Sequence, residues 1–142
     1  MPTLFSRIIS GDLPGRFVWA DADAVAFLSI GPLTGGHALV VPRMEVDHWT
    51  DASPELLAKL TVVAQTIGRA QVAAFGSARA GLTIVGFDVE HLHLHVWPVN
   101  SIADYDFSRV DNSPDPAVLD ANAERLRAAL RGAGHGEFVP DA

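Results

Sequence analysis

The sequence of 142 residues contains no cysteine. This absence excludes a disulfide-stabilised fold, thiolate zinc sites and a cysteine nucleophile. Basic residues are also few, with 10 Lys and Arg against 17 Asp and Glu. The formal charge of −7 argues against an extended nucleic-acid surface, which requires a basic face. No uncharged apolar run reaches the roughly 18 residues of a membrane span. Charged residues also begin too early for a signal peptide, so we expect a cytoplasmic protein without membrane contacts.

The composition that remains is typical of one globular domain. Hydrophobic residues make up 49% of the chain and charged residues 19%. A domain of about this length buries roughly 68–70% of the surface that its unfolded chain exposes. We therefore expect a single domain over residues 1–142, with a flexible tail over residues 133–142.

Local signals predict three helices and five strands. Thr3 caps a short helix over residues 4–10, Ser53 caps a long helix that ends near Phe75, and residues 115–131 form a last helix. The predicted strands are Arg16–Ala20, Ala24–Ser29, His37–Pro42, Gly81–Gly86 and Val89–Trp97, with a tight turn between the last two. Helices do not alternate regularly with these strands. The order therefore predicts an α+β domain with a mainly antiparallel five-stranded sheet.

The most informative motif is a run of alternating histidines within residues 91–97, His-Leu-His-Leu-His-Val-Trp. Side chains on a strand alternate between its two faces, so His91, His93 and His95 are expected to share one face. Histidines two residues apart on a strand lie about 6.6 Å apart, which suits several imidazoles gripping one small anion or metal ion.

Three interpretations of this histidine row remain open. It could be a solvated polar face of the sheet, although Ser, Thr or Lys would serve equally well there. It could bind zinc through imidazole nitrogens, although the sequence offers no clear supply of carboxylates. It could perform phosphorus chemistry, in which one histidine attacks phosphorus while another stabilises the charge on its oxygens. The third interpretation is the one we favour.

The motif resembles the signature of the histidine triad (HIT) family, in which three histidines alternate with apolar residues. Two upstream segments extend this resemblance: residues 5–14 resemble the family's opening motif, and residues 26–42 resemble its strand–loop–strand motif ending in Gly-His-x-Leu-Val-x-Pro. Together these motifs cover about residues 4–98. The pattern is most similar to the small bacterial members of the Hint-like branch.

The resemblance implies a homodimer whose sheets join across the dimer axis, and an enzyme that acts on purine nucleotides. It implies hydrolysis or transfer of a nucleoside monophosphate from a conjugate, through a nucleotidyl-histidine intermediate and without a metal or other cofactor. His93 would be the nucleophile and His95 would bind the phosphate oxygens. His91 and a fourth histidine, His37, would orient and polarise the nucleophile. The residues implied at the base pocket are Phe5, Ile8, Ile9 and Phe27.

The sequence departs from the family pattern around the implied phosphate. Ser29 stands where many relatives have an Asp that contacts the ribose. The Asn-rich loop before the triad is missing, with Val85–Phe87 expected to connect the strands directly. Asp88 replaces a phosphate-binding hydroxyl, so in an active site it must point away, be protonated, or pair with an imidazolium such as His95.

Three functions are therefore compatible with the sequence. The first is a nucleotidyl hydrolase or transferase acting through His93. The second is a nucleotide-binding regulatory or adaptor protein with little turnover, for which the replacement at Asp88 is the argument. The third is a zinc hydrolase that uses the same histidines.

Overall fold

The computed structural model describes residues 1–142 and contains three α-helices and five strands. The helices are α1 (Leu4–Ser10), α2 (Pro54–Phe75) and α3 (Pro116–Leu130). The strands are β1 (Phe17–Ala20), β2 (Ala24–Leu28), β3 (Ala38–Pro42), β4 (Arg79–Thr83) and β5 (Leu94–Val99). None of the helices combines the length and apolar character needed to cross a membrane.

The strands form one antiparallel sheet in the order β1-β2-β3-β5-β4. Helices α2 and α3 contact the sheet, and together they enclose the main apolar core. Alternate β2 residues enter a second, smaller cluster that includes Phe5 of α1 and Phe27. The predicted α+β fold with an antiparallel five-stranded sheet is confirmed.

The predicted helix boundaries follow from side-chain caps that the structure contains. The Oγ1 atom of Thr3 accepts a hydrogen bond from the Ser6 backbone N–H, and the Ser53 side chain accepts one from Leu56. Each bond satisfies one of the backbone donors that a helix start leaves unpaired. Asp115 caps α3 in the same way, through the Ala117 N–H.

The prediction for the last two strands is wrong in its boundaries. Strand β4 ends at Thr83 and β5 begins only at Leu94, so a ten-residue irregular segment, residues 84–93, replaces the predicted tight turn and direct connection. The reason is a long-range contact: the Leu92 N–H donates to the Val46 carbonyl at 2.7 Å. This bond holds the end of the segment against residues that follow β3 instead of letting it continue the sheet.

The tail, for which the sequence predicts flexibility, contains further helical turns and contacts the main core. Residues 131–138 continue in helical turns after α3. The Phe138 ring stacks on Trp19 with ring centroids 4.9 Å apart, and Phe138 and Val139 pack against the main core. The polar and glycine-rich composition of the tail conceals these two apolar anchors.

Candidate active site

The three alternating histidines face away from the main core, as the sequence predicts. Leu92, Leu94 and Val96 belong to that core, whereas His91, His93 and His95 do not. Only His95 lies within β5, and the other two precede the strand, with His91 at a bend of the chain. All three are buried, with at most 5% of each residue exposed.

His37, immediately before β3, is brought to the same place. Its Nε2 lies 2.9 Å from Nδ1 of His95, and its Nδ1 accepts a hydrogen bond of 2.9 Å from the Leu33 backbone N–H. Because Nδ1 accepts, the proton of neutral His37 must be on Nε2, which then donates to His95. Neutral His95 consequently carries its own proton on Nε2. The Leu33 amide thus fixes both tautomers and makes His95 Nε2 a donor.

His93 is held in the opposite tautomer. Its Nδ1 lies 2.7 Å from the His91 carbonyl oxygen, which can only accept, so Nδ1 carries the proton and Nε2 presents a lone pair. The buried Nε2 atoms of His93 and His95 both lack a hydrogen-bond partner. Buried polar atoms are rarely left unpaired unless they serve a ligand or a reaction. The site therefore presents one buried lone pair and one buried N–H donor without partners.

His91 acts through its backbone and is itself anchored on both sides. Its Nε2 donates to the Pro42 carbonyl at 2.8 Å, and its Nδ1 is 2.6 Å from the Thr3 hydroxyl. Thr3 is in turn held by Glu45, whose carboxylate accepts from the Thr3 backbone N–H. The sequence predicts Thr3 only as a helix cap, because a contact across 88 residues leaves no local signal.

Burial disfavours the charged forms of His37, His91 and His95. Desolvation, followed by the charges of His95 and His93, lowers the pKa of His37 to about 3. Desolvation and the charge of His93 lower the pKa of His95 to about 4, although Asp88 acts to raise it. Burial also lowers the pKa of His91, although the hydrogen bond to Pro42 and the charge of Glu45 act to raise it. The sequence hypothesis that Asp88 keeps His95 cationic is therefore wrong, since burial outweighs the carboxylate.

These pKa shifts predict a loss of stability on mild acidification. Between pH 6.5 and 4 the unfolded histidines bind protons that folded His37 and His95 do not, so the unfolding free energy falls as the pH falls. From pH 7 to 5 each of the two should lose about 2 kcal/mol. Urea denaturation at both pH values measures this loss. The exposed-histidine variant His48→Gln should show the same loss as the unaltered protein, and a total loss below about 1 kcal/mol would contradict the assignment.

The implied base-pocket residues lie beside the histidines. The Phe5 ring meets the His93 ring edge-on at 4.8 Å and the Phe27 ring at 5.4 Å. Ile8 and Ile9 pack against the same cluster and remain half-buried. The Ser29 hydroxyl accepts a hydrogen bond from the Gly31 N–H, within the loop that leads to His37. Packing of α1 thus brings the implied base-pocket residues Phe5, Ile8, Ile9 and Phe27 together on the histidine side of the sheet.

A buried glutamine that sequence reasoning missed supports the histidine pair. The Gln71 amide nitrogen, on α2, donates to the Gly36 carbonyl at 2.9 Å and to the Val96 carbonyl at 2.8 Å. These two carbonyls belong to the residues next to His37 and His95. Gln71 therefore holds the chain before β3 next to β5, beside the contact between His37 and His95.

Asp88 lies at the mouth of the site. Its Oδ1 is 3.2 Å from Nε2 of His93, outside hydrogen-bonding geometry, and its side chain is 57% exposed. The carboxylate thus lies beside His93 without a hydrogen bond to its ring, and the expected pairing of Asp88 with an imidazolium stays a prediction. Asp88 also supplies the carboxylate that the zinc interpretation lacked, since Asp88, His93 and His95 offer ligand atoms within 4.8 Å of one another. The fixed proton on His95 Nε2 opposes its use as a metal ligand.

Comparison with known proteins gives a consistent family assignment. The family model described as "HIT domain" matches residues 10–102. An uncharacterised HIT-like protein of Mycobacterium tuberculosis is 36% identical over 107 residues, covering 69% of this chain and 72% of that protein. A protein of Arabidopsis thaliana named adenylylsulfatase HINT3 is 27% identical over 100 residues, 67% of this chain and 51% of that one. A zinc-bound histidine triad family protein of Mycobacterium smegmatis superposes with a TM-score of 0.79 at 29% identity, covering 94% and 96% of the two chains.

Proposed function

Because the chain belongs to the HIT domain family, we propose that it is a purine-nucleotide hydrolase or nucleotidyl transferase that acts through a nucleotidyl-His93 intermediate. One observation carries this proposal: the two unpartnered ring nitrogens in the buried site have opposite hydrogen-bonding character. Attack on phosphorus needs one lone pair, and the charge that develops on the phosphoryl oxygens needs a donor. The name of the Arabidopsis relative, an adenylylsulfatase, agrees with chemistry at a nucleotide phosphorus.

The proposed reaction has two steps. In the first, Nε2 of His93 forms a bond to the α-phosphorus, and the leaving group departs with its electron pair and takes up a proton. The His91 carbonyl stabilises the imidazolium character that grows on Nδ1–H of His93. In the second, water or another acceptor attacks the same phosphorus, which releases the nucleoside monophosphate and regenerates His93. The N–H of His95 donates to a phosphoryl oxygen in both steps.

Substrate binding is proposed to use the apolar cluster beside the triad. Phe5, Ile8, Ile9 and Phe27 would contact the purine base, and the Ser29 hydroxyl would face the ribose. The base contacts are supported by the packing of Phe5 against His93 and of the other three residues in the same cluster, and the role of Ser29 rests on the family resemblance. No metal or other cofactor takes part in these steps.

Trapping a covalent intermediate tests the proposed function. The protein is mixed with an adenosine 5′-phosphoramidate labelled at phosphorus, quenched in alkaline denaturant, and separated from free nucleotide. Retained label supports the enzyme. Absence of retained label and of released monophosphate would contradict it, and tight monophosphate binding in that case would identify a nucleotide-binding regulatory or adaptor protein. Activity that requires stoichiometric zinc would identify the zinc hydrolase.

We also propose a homodimer built on the outer edge of the sheet. Strand β4 is an edge strand, and a groove of about 610 Å³ lies between β4 and α2, away from the histidines. Val62, Val72 and Leu82 line this groove and are more than one third exposed. A second copy that pairs its own β4 would cover these side chains and extend the sheet.

The proposed dimer predicts that charged substitutions in the groove convert the dimer to a monomer. The double variant Val62→Glu/Leu82→Glu places two charges in the groove, so it should shift the protein from dimer to monomer in analytical ultracentrifugation. Val118→Glu, at an exposed valine of α3, is the matched control and should remain dimeric. A monomeric unaltered protein at micromolar concentration would contradict the dimer.

A further inference from the structure

The residue that the proposed function leaves unexplained is Asp88. Its carboxylate lies 3.2 Å from the nucleophilic nitrogen of His93, which is where the phosphorus must come. The side chain is more than half exposed and belongs to the irregular segment before β5, so an entering substrate can displace it. After displacement the carboxylate remains within a few ångströms of the phosphoryl group and of its leaving group.

The charged groups around the triad are acidic. The carboxylates that act on His91 and His95 are Glu45, Asp47 and Asp88. Of these, Asp88 lies beside His93 Nε2, so a leaving group made of further phosphates would meet its negative charge. One extra negative charge about 5 Å from a carboxylate weakens binding more than a hundredfold at an effective dielectric of about 20.

The charge of Asp88 can distinguish substrates by their leaving groups. Substrates that share an adenosine monophosphoryl group carry the same charge at the α-phosphate. The Asp88 carboxylate therefore repels the α-phosphate of each substrate equally. They differ in the group that departs, which is anionic in a nucleoside polyphosphate and neutral or cationic in a phosphoramidate. A carboxylate favours departure of the neutral or cationic leaving group and disfavours departure of the anionic one.

Resting on the proposed function, we propose that Asp88 is a specificity-determining residue that selects amine leaving groups and rejects phosphate leaving groups. Nε2 of His93 forms the bond to phosphorus, the P–N bond breaks with its electron pair on nitrogen, and the departing nitrogen takes a proton from solvent. The carboxylate left behind then pairs with the amine when a second proton from solvent converts it to ammonium.

Two substrates with the same nucleotide portion test this selection. The ratio of kcat/KM for adenosine 5′-phosphoramidate to kcat/KM for ADP is measured in the unaltered protein and in Asp88→Asn, which keeps the shape but removes the charge. The ratio should fall about a hundredfold in Asp88→Asn. Glu90→Gln, which removes a carboxylate two residues away that forms no ion pair with a triad histidine, should change it less than about threefold because distant exposed charges are screened.

The outcomes separate this inference from the proposed function. A ratio that stays within about threefold in Asp88→Asn, while the covalent intermediate still forms, would overturn the role of Asp88 and leave the proposed function standing. A fall in the ratio of similar size in Glu90→Gln would overturn it as well, since the effect would then be one of overall charge. Failure of the unaltered protein to form the intermediate with either substrate would overturn both.

Discussion

Replacing His93 with alanine should lower kcat/KM by at least about ten-thousandfold, which is the scale of losing a covalent nucleophile. The size of the effect follows from the tautomers. His93 is the member of the triad whose Nε2 holds a lone pair, because the His91 carbonyl fixes its proton on Nδ1. The Pro42 carbonyl accepts a hydrogen bond from the Nε2–H of His91. The hydrogen bonds from Leu33 to His37 and from His37 to His95 leave a proton on Nε2 of His95. No other histidine can replace the lost nucleophile.

The control for this variant is His48→Ala, because His48 is exposed and its side chain contacts only Asp47 among charged groups. It should retain full activity. Binding of adenosine monophosphate to His93→Ala, measured by calorimetry, should stay within about tenfold, since the apolar base contacts remain. Residual activity above a few per cent in His93→Ala would assign the nucleophile to another group.

Replacing Gly36 with alanine should cost about 3 kcal/mol of unfolding free energy. Gly36 has φ +92°, a conformation that side chains with Cβ rarely adopt, and a Cβ there would lie 2.5 Å from the Phe75 ring. The strain would fall on the residue whose carbonyl binds Gln71 and which precedes His37. We therefore expect the loss of stability to be accompanied by a loss of activity. Urea denaturation measures the first and turnover the second.

Two variants separate the causes of this loss. Gly11 has a similar φ of +90° but open space around a Cβ, so Gly11→Ala should show only the conformational cost of about 1 kcal/mol. Phe75→Leu combined with Gly36→Ala should recover part of the remainder in a double-mutant cycle. Equal costs for Gly36→Ala and Gly11→Ala would show that the contact with Phe75 carries no energy.

The features that the sequence predicted correctly depend on neighbouring residues. Thr3, Ser53 and Asp115 cap helices through atoms two or three residues away, which a pattern can reveal. The predicted alternation of histidine and apolar side chains is also present, although the predicted strand boundary is incorrect. Leu92, Leu94 and Val96 enter the main core, which leaves the three imidazoles on the other side of the chain.

The features that the sequence could not predict depend on distant residues. Residues 84–93 were predicted as two strand ends joined by a tight turn, but the bond between Leu92 and Val46 decides their path. The tail contacts the core through the stacking of Phe138 on Trp19, which are 119 positions apart in the sequence. The tautomers of the active-site histidines were likewise invisible, because they are set by the carbonyls of His91 and Pro42 and the Leu33 amide.

The most direct test of the account is to locate the covalent nucleotide on the chain. The intermediate formed with adenosine 5′-phosphoramidate is quenched in alkali, which preserves a phosphorus–nitrogen bond, digested, and sequenced by tandem mass spectrometry. We predict an adenylyl group on His93 alone, within the peptide that contains His91, His93 and His95. An adenylyl group on His91 or His95, or product formation with no adduct at any time point, would contradict the assignment of His93 as the nucleophile.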